Sequence, residues 1–281
     1  MTRNQFIHTL LLCLIGATLI TACSRSPIIP GFPESEDSAP SRRLNPDTIA
    51  DATPRTEPRS RRGNPQSYVV RGQRYYTLEH SQGYVEKGIA SWYGTKFHGR
   101  STSSGEPYDM YAMTAAHKSL PLPTYVRVTN LRNGRSAIVK VNDRGPFHDN
   151  RIIDLSYAAA TKLGILGQGT GLVEVKALDP RQPQQLASSA SPHPASIQAQ
   201  RTKEPDLFIQ VGAFSSRQNA NQLSHRLTNS LGEQVRIQEI ENQGKRIFRV
   251  QIGPLASVEQ VDSLSLNLPK LGIAETQVII D

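Results

Sequence analysis

Segments of period-two alternation, separated by glycine and proline turns, run through the middle of this chain and favour a β structure. Residues 125–129 and 137–141 alternate between apolar and polar side chains, which is the pattern of a strand with one buried face. Asn133 and Gly134 lie between these segments and predict a tight hairpin turn, because both residues tolerate a positive φ. Residues 172–177 alternate in the same way. The region therefore predicts several strands of one β domain.

Two further strands and a single helix complete the expected elements of this domain. Aromatic and β-branched residues cluster at 68–70 and 75–78 and predict short strands. One helix fits residues 157–163, with Ser156 as its N-cap and Gly164 as its stop. Many short strands around one helix predict a small barrel, and we assign it to residues 67–179.

The N-terminus has the pattern of a secretory signal. Arg3 precedes an apolar run at 6–20, and two small residues separate this run from Cys23. The run is shorter than the roughly 20 apolar residues of a membrane span, although an uncleaved anchor is the alternative. The Ile-Thr-Ala-Cys ending resembles a bacterial lipobox. That resemblance implies removal of residues 1–22 as a signal peptide and lipidation of Cys23.

The lipobox has two consequences for the mature chain. Ser24 follows the lipidated residue, and in Gram-negative lipoproteins a residue other than Asp there implies transfer to the outer membrane. The chain has two cysteines, and Cys13 would leave with the signal while Cys23 takes the lipid. No thiol would then remain for a disulfide, a cysteine–zinc site or a cysteine nucleophile.

Two segments have the composition of linkers. Residues 23–66 are rich in Pro, Ser, Arg and acids, so they bury too little apolar surface to offset chain entropy, and we predict a disordered tether. Residues 180–204 are rich in Pro, Ser, Ala and Gln and predict a second linker. Arginines of the tether supply much of the net charge of +8. A secreted chain does not routinely meet nucleic acid, so we favour a solvated segment near anionic lipid or wall.

Residues 205–281 contain an internal repeat. The segment 209–214 is echoed at 250–255, and each copy is followed by a helix and a second strand. Ser257 and Gln260 form a capping box ahead of the second helix. The predicted order is βαββαβ, the split βαβ pattern.

One face of the C-terminal sheet is a candidate carbohydrate platform. Alternation places Leu207, Ile209 and Val211 toward the helices. The opposite face then carries the candidate glycan-binding residues Gln210, Phe214, Arg249 and Gln251. The domain resembles SPOR domains, which implies binding of denuded glycans at division septa. A generic small α/β interaction domain is the alternative. The aromatic motif with which this fold reads RNA is absent from the sequence.

The stretch from Trp92 to Phe147 carries polar residues between Gly and Pro turns, and such loops concentrate function. The sequence resembles the rare lipoprotein A family at the motifs Gly88–Gly94, Gly105–Met110, Thr114–His117, Leu120–Pro123 and Val141–Phe147, and at a helix segment, Arg151–Ser156. The resemblance implies a six-stranded double-psi β-barrel, so the whole chain would be mainly β plus α/β. It also implies lytic transglycosylase activity on peptidoglycan strands that lack stem peptides.

The implied reaction requires an acid that protonates the leaving oxygen of a glycosidic bond. In lytic transglycosylation the C6 hydroxyl of N-acetylmuramic acid attacks its own C1, so no water is activated and one acid that later acts as base can suffice. Asp143 is the first candidate, because it ends a predicted strand before a Gly-Pro turn. The alternative is an Asp that only stabilises the turn.

Three further catalytic candidates accompany Asp143. The resemblance, rather than their spacing, makes Glu106 and Asp109 candidates, and a polar loop with an Asx turn is the alternative. His117 has an ordinary pKa near working pH and is a candidate to orient groups or relay protons. A metal site built from His98, His117 and His148 is disfavoured because no His pair has ligand spacing. We therefore predict neither a metal nor another cofactor.

Candidate substrate-binding residues surround these groups: Trp92, Tyr93, Tyr108, Asn142 and Arg144. The aromatic rings suit stacking on sugars, although Trp92 also fits a partly buried wall. Arg144 follows Asp143 directly, and close contact of this cation would disfavour the acid form of Asp143.

Together these features predict a lipid-anchored enzyme at the periplasmic face of the outer membrane, enriched at the division septum. The expected reaction cuts denuded peptidoglycan glycans and leaves 1,6-anhydromuramic acid ends. The predicted partners are glycan strands and the membrane, with division proteins as further candidates and nucleic acid excluded. Two rivals remain: a hydrolase of the same bond, and a non-catalytic wall-binding division lipoprotein. The sequence indicates no oligomeric state.

Overall fold

The computed structural model describes residues 37–148, 150–182 and 205–281. The predicted signal, the lipidation site Cys23 and most of the second linker lie outside these ranges. Within them, no helix has both the length and the apolar character needed to cross a bilayer.

Six strands close into a barrel in the middle of the chain. A separate hairpin of β1 (Ser67–Val70) and β2 (Gln73–Tyr76) precedes it. The barrel strands are β3 (Val85–Tyr93), β4 (Thr114–His117), β5 (Thr124–Asn130), β6 (Ser136–Asp143), β7 (Arg151–Ser156) and β8 (Gly171–Ala177). Their order around the barrel is β3-β7-β4-β6-β5-β8, and the pairs β3–β7 and β4–β6 are parallel. The predicted six-stranded barrel is confirmed.

The helix predicted at residues 157–163 is present with the expected ends. Helix α1 (Tyr157–Leu163) follows Ser156, whose hydroxyl accepts a hydrogen bond from the backbone N–H of Ala159 at 3.2 Å. It ends at Gly164, which has a φ of 71°. A serine cap and a glycine in the left-handed region satisfy the two ends of a short helix, so local sequence determines its length.

The prediction of a helix at residues 151–156 is wrong, because these residues form strand β7. Ile153 and Leu155 alternate along it and lie in the barrel core with Val126 and Val141. Side chains two residues apart share a face of a strand, so the intervening Asp154 lies on the outer face.

Residues 37–66, here called the N-terminal strap, lie along the barrel surface instead of forming the predicted disordered tether. The backbone N–H of Ala52 donates to the carbonyl of Ile138 at 3.0 Å. Leu44 and Ile49 pack against the barrel core. A few apolar side chains and backbone hydrogen bonds to a preformed surface are sufficient to order a segment whose own composition is polar.

Residues 207–280 form the predicted βαββαβ unit. Its elements are β9 (Leu207–Phe214), α2 (Arg217–Leu231), β10 (Val235–Asn242), β11 (Lys245–Leu255), α3 (Val258–Asn267) and β12 (Gln277–Ile280). The sheet is antiparallel in the order β10-β11-β9-β12. At the start of α3, the hydroxyl of Ser257 accepts from the N–H of Gln260 at 3.3 Å, as the capping signal predicted.

Helix α3 contacts the barrel beside the start of β7. The guanidinium of Arg151 donates to both carboxylate oxygens of Asp262, at 2.6 and 3.2 Å. The side-chain amide of Asn150 donates to the same carboxylate at 3.0 Å. Ile89 of the barrel and Val258 of α3 belong to one buried apolar cluster. The described structure therefore joins the two domains through an apolar contact and an ion pair.

Candidate active site

The carboxyl end of β6 carries a bulge at Asn142 and Asp143, which directs these two polar side chains to one face. In the pairing with β4, Ala115 lies opposite Val141 and Ala116 lies opposite Asp143, so Asn142 is the extra residue. Val141 lies in the barrel core. A bulge redirects side chains and is often found beside active sites. Asp143 consequently shares the outer face with its partner Ala116.

The loop after β3 fixes the orientation of the Asp143 carboxylate. Ser103 donates from its backbone N–H at 2.7 Å and from its hydroxyl at 2.6 Å to Oδ1 of Asp143. The backbone N–H of Arg144 donates to the same oxygen at 2.7 Å. Among the described residues, none donates to Oδ2. One carboxylate oxygen is therefore held by the protein while the other is available to a ligand.

Glu106 joins the same region through contacts with β6. Its Oε1 lies 2.8 Å from Nζ of Lys140, and its Oε2 accepts from the side-chain amide of Asn142 at 2.8 Å. Partial burial raises the pKa of Glu106, but the hydrogen bonds from Asn142 and Lys140 outweigh burial and hold this pKa below its ordinary value. Glu106 is thus an ionised carboxylate at neutral pH and is poorly suited to donate a proton.

A second carboxyl group, Asp154, lies across the sheet from Asp143. Ala116 of β4 is paired with Asp143 on one side and with Asp154 of β7 on the other. Residues paired across neighbouring strands share a face, and strands lie about 4.8 Å apart, so the two Asp Cα atoms are about 10 Å apart. Between the two carboxyl groups, this face of the sheet carries the small side chain of Ala116, which is itself buried.

The surroundings of Asp154 favour its protonated form. Burial raises the pKa of Asp154, and it outweighs the opposing hydrogen bond from the Ser91 hydroxyl to Oδ1 and the positive charge of Arg151. A carboxyl group with a raised pKa is the type of group that general acid catalysis uses. Asp154 is not among the site residues predicted from the sequence, because a helix is predicted for its segment. The alternation of Ile153 and Leu155 around it is the signal that identifies an outward-facing acid.

His117 is a buried structural residue rather than a titrating group. Its Nδ1 accepts from the backbone N–H groups of Ser119 and Leu120, both at 3.1 Å. Its Nε2 lies 2.8 Å from the hydroxyl of Tyr84. Burial, and then the charge of Arg144, lower the pKa of His117 to about 3. The ring is therefore neutral near neutral pH, which contradicts the expectation that its pKa lies near working pH and does not support proton relay.

Arg144 binds the strap and the loop after β4. Its Nε donates to the carbonyl of Gly63 at 2.7 Å, and its Nη1 donates to the carbonyl of Leu120 at 2.6 Å. Its Nη2 donates to the side-chain oxygen of Asn64 at 3.1 Å. Burial lowers the pKa of Arg144 to about 10. The hydrogen-bond partners of the guanidinium are neutral oxygens, so the structure supports a structural role more than substrate binding.

The remaining catalytic candidate, Asp109, lies in an exposed turn. Its Oδ1 accepts from the backbone N–H of Tyr111 at 2.9 Å, which is an Asx turn. The same oxygen lies 3.8 Å from Nδ1 of His98. The structure thus gives Asp109 contacts different from those of Asp143 and Glu106 and does not bring it into their hydrogen-bond network.

The candidate aromatic residues pack against one another rather than forming an open platform. Tyr93 and Tyr108 are buried, with stacked rings whose centroids are 4.0 Å apart, and the hydroxyl of Tyr108 donates to the carbonyl of Tyr93 at 2.5 Å. Trp92 is partly buried and meets the ring of Tyr157 edge-on at 6.2 Å. The alternative of a partly buried wall therefore describes Trp92 better than sugar stacking.

The C-terminal platform also differs from its prediction. Gly212 pairs with Val250 and Gln210 pairs with Gln251, so Val211 is an extra residue that reverses the faces of β9 beyond it. Phe214 consequently packs against the helix-side core.

Three other platform candidates have mixed exposure. Gln251 is fully buried, and its side chain is bonded to Arg236 and Gln238. Arg249 and Gln210 remain partly exposed. Only these two of the four predicted residues keep an accessible position on this sheet.

The residues that the structure describes contain no group of three His, Cys, Asp or Glu side chains arranged to hold a metal ion. Of the three His residues weighed as ligands, His98 accepts from the backbone N–H of Met110 at 3.3 Å. The backbone carbonyl of His148 accepts from Nζ of Lys118 at 3.3 Å.

Comparison with known families agrees with this architecture. The family model described as lytic transglycolase matches residues 85–176, and the SPOR domain model matches residues 203–278. Barrel, acidic outer face and C-terminal unit therefore define a protein with a lytic-transglycolase barrel and an appended SPOR domain.

Full-length relatives specify the family further. An endolytic peptidoglycan transglycosylase RlpA of Pseudomonas aeruginosa is 38% identical over 284 residues, which cover 84% of this chain and 82% of the relative. The RlpA of Vibrio cholerae is 39% identical, with 92% of each chain covered. That of Neisseria meningitidis serogroup A is 42% identical over 75% of this chain and 82% of the relative. The chain belongs to the RlpA family.

Proposed function

We propose that the protein is a lytic transglycosylase that cleaves peptidoglycan glycan strands lacking stem peptides. The observation that carries the proposal is the pair of carboxyl groups, Asp143 and Asp154, on either side of Ala116. Family membership supports the reaction class. The outer face supplies Asp154 as an acid, Asp143 as an oriented carboxylate and Glu106 as an ionised neighbour. Glycosidic bond cleavage uses groups of these kinds.

Asp154, Asp143 and Glu106 have different roles in the proposed reaction. The Asp154 carboxyl donates its proton to the glycosidic oxygen as the bond from C1 to that oxygen breaks. The C6 hydroxyl of the same muramic acid forms the new bond to C1, and its proton passes to the free Oδ2 of Asp143. The ionised Glu106 stabilises the positive charge that develops on the sugar ring. One proton is given and one is taken, and no water enters.

Product analysis tests this proposal. Purified full-length protein is incubated with sacculi whose stem peptides an amidase has removed, and the released fragments are analysed by mass spectrometry. We expect 1,6-anhydro ends, which are one water lighter than reducing ends, and little release from untreated sacculi. Reducing ends would identify a hydrolase instead. Binding without any product would favour the wall-binding lipoprotein.

We also propose that the SPOR domain recruits the protein to denuded glycan at the division septum and that Cys23 anchors it in the outer membrane. The SPOR match and the lipobox resemblance support these assignments. Deletion of residues 205–281 should abolish septal fluorescence of a tagged protein, and Cys23→Ala should prevent maturation. Unchanged septal recruitment would locate the targeting signal elsewhere, and a mature Cys23→Ala protein in the outer membrane would contradict the lipobox.

A further inference from the structure

The N-terminal strap brings one more carboxylate to the active-site face. Oε2 of Glu57 lies 3.0 Å from Nζ of Lys140, and the same Nζ lies 2.8 Å from Oε1 of Glu106. One ammonium thus bridges two carboxylates from distant parts of the chain. The three groups together carry a net charge of −1 when all are ionised, which places negative charge beside the bulge that holds Asp143.

The contacts around Glu57 fix its carboxylate. The hydroxyl of Tyr125 donates to Oε1 at 2.6 Å, and Nε of Arg55 lies 3.4 Å from the same oxygen. Tyr125 and Lys140 are directly paired on neighbouring strands. The side chain of Lys140 is only 16% exposed. Partly desolvated charges attract more strongly than exposed ones, so this bridge constrains its members more than a surface ion pair does.

The strap is held to the barrel on both sides of Glu57. Before it, Oδ1 of Asp51 accepts from the backbone N–H of Ile138 at 3.1 Å and lies 2.6 Å from Nζ of Lys162. After it, the Gly63 carbonyl accepts from Arg144. Glu57 therefore lies in a segment that is bound to the barrel on both sides of it.

Glu57 affects Glu106 in two ways. It holds Lys140 at its position, and its negative charge opposes ionisation of Glu106. Besides Lys140 and Glu57, the charged groups near Glu106 are Arg55, which interacts with it electrostatically, and Arg62, whose side chain lies over Gly105. Loss of Glu57 alone would release one end of the Lys140 bridge and remove one repulsive charge.

We propose that Glu57 is a positioning residue of the active site, which acts through Lys140 to hold the Glu106 carboxylate against β6. The inference rests on the proposed transglycosylase function, because that function gives Glu106 its part in the chemistry. Glu57 thus acts on the site from a segment whose composition is that of a linker.

Glu57→Gln in the full-length protein tests the proposal, because the amide keeps the shape and removes the charge. On denuded glycan we expect kcat to fall about tenfold or more, with KM changed less than about twofold, since a misplaced group affects the transition state more than binding. We expect the pKa of Glu106, followed by the carbon-13 shift of its carboxyl group, to rise, because the hydrogen bond and the positive charge of Lys140, which lower this pKa, outweigh the repulsion by Glu57 that is also lost.

Asp51→Asn is the matched control. It removes a strap carboxylate that also pairs with a barrel lysine, but that lysine is Lys162 on α1. This variant should leave the Glu106 titration and kcat unchanged. If Glu57→Gln behaves like Asp51→Asn in both measurements, Glu57 only fastens the strap and the proposal is overturned. Absence of anhydro product from the unaltered protein would reject the proposed function instead, while the Glu106 titration would still test the coupling.

Discussion

At the scale of single residues, the carboxyl groups on the active-site face differ in pKa because their surroundings differ. Glu106 is bound by an ammonium and an amide and has a lowered pKa, whereas burial raises the pKa of Asp154. Groups whose environments push their pKa values apart can take opposite roles in proton transfer. Asp143, with Oδ1 held by three donors, is suited to accept a proton at Oδ2.

Asp154→Asn should abolish most activity without destabilising the fold. Loss of a general acid costs at least about a hundredfold in kcat. A carboxyl whose folded pKa is raised reduces stability as pH rises from its unfolded pKa through its folded pKa. Because the amide carries no charge, the variant should melt at or above the temperature of the unaltered protein at pH 7, and their difference should shrink in acid. Asp179→Asn, at a local ion pair with Arg181, is the control. Full activity would remove Asp154 from the mechanism.

At the scale of elements, Asn64 is one of the residues that fasten the strap to the barrel. Its side chain donates to the carbonyl of Leu122 and accepts from the N–H of Leu122, both at 2.8 Å, and it also accepts from Arg144. Leu122 is fully buried, so water cannot replace these bonds. An unsatisfied buried backbone group costs about 1–3 kcal/mol.

Asn64→Ala should therefore lower the free energy of unfolding by about 2 kcal/mol or more, measured by urea denaturation. Ser38→Ala, which removes an exposed hydroxyl contact with Thr95, is the control and should change stability little. An Asn64→Ala protein as stable as the control would show that the strap is not bound to the barrel in solution.

The sequence predicted correctly those elements whose start, end or turn is determined by residues within the element itself. The cap at Ser156, the stop at Gly164 and the turn at Gly134 lie within the elements that they define. The strap was missed because its order depends on partners far along the chain, such as Ile138 for Ala52. The faces of β9 were missed beyond Val211, because a bulge is defined by the register of the partner strand.

At the scale of the whole molecule, the barrel and the SPOR domain meet at the pair of Arg151 and Asp262. Burial raises the pKa of Asp262, but hydrogen bonds from Arg151 and Asn150 outweigh it and lower this pKa overall. Such a group contributes stability above its unfolded pKa and loses this contribution as pH falls through its folded pKa.

Asp262→Asn should therefore weaken the docking of the two domains at neutral pH. We expect the variant to be more expanded in small-angle X-ray scattering, with the difference disappearing in strong acid. Glu239→Gln, at an exposed ion pair with Arg217, is the control within the SPOR domain. Identical scattering of both variants at pH 7 would mean that the ion pair does not hold the domains together.

The strap also determines how the barrel responds to mechanical load. Its contacts follow one another along the chain, from Asp37 at Gly94, through Ala52 at Ile138, to Gly63 at Arg144. Tension applied from the N-terminal end would load them one after another, as in peeling, rather than all at once. Glu57 would then leave Lys140 only after the contacts before it had broken. On the proposed role of Glu57, pulling force would thereby affect catalysis through the same stretch of chain.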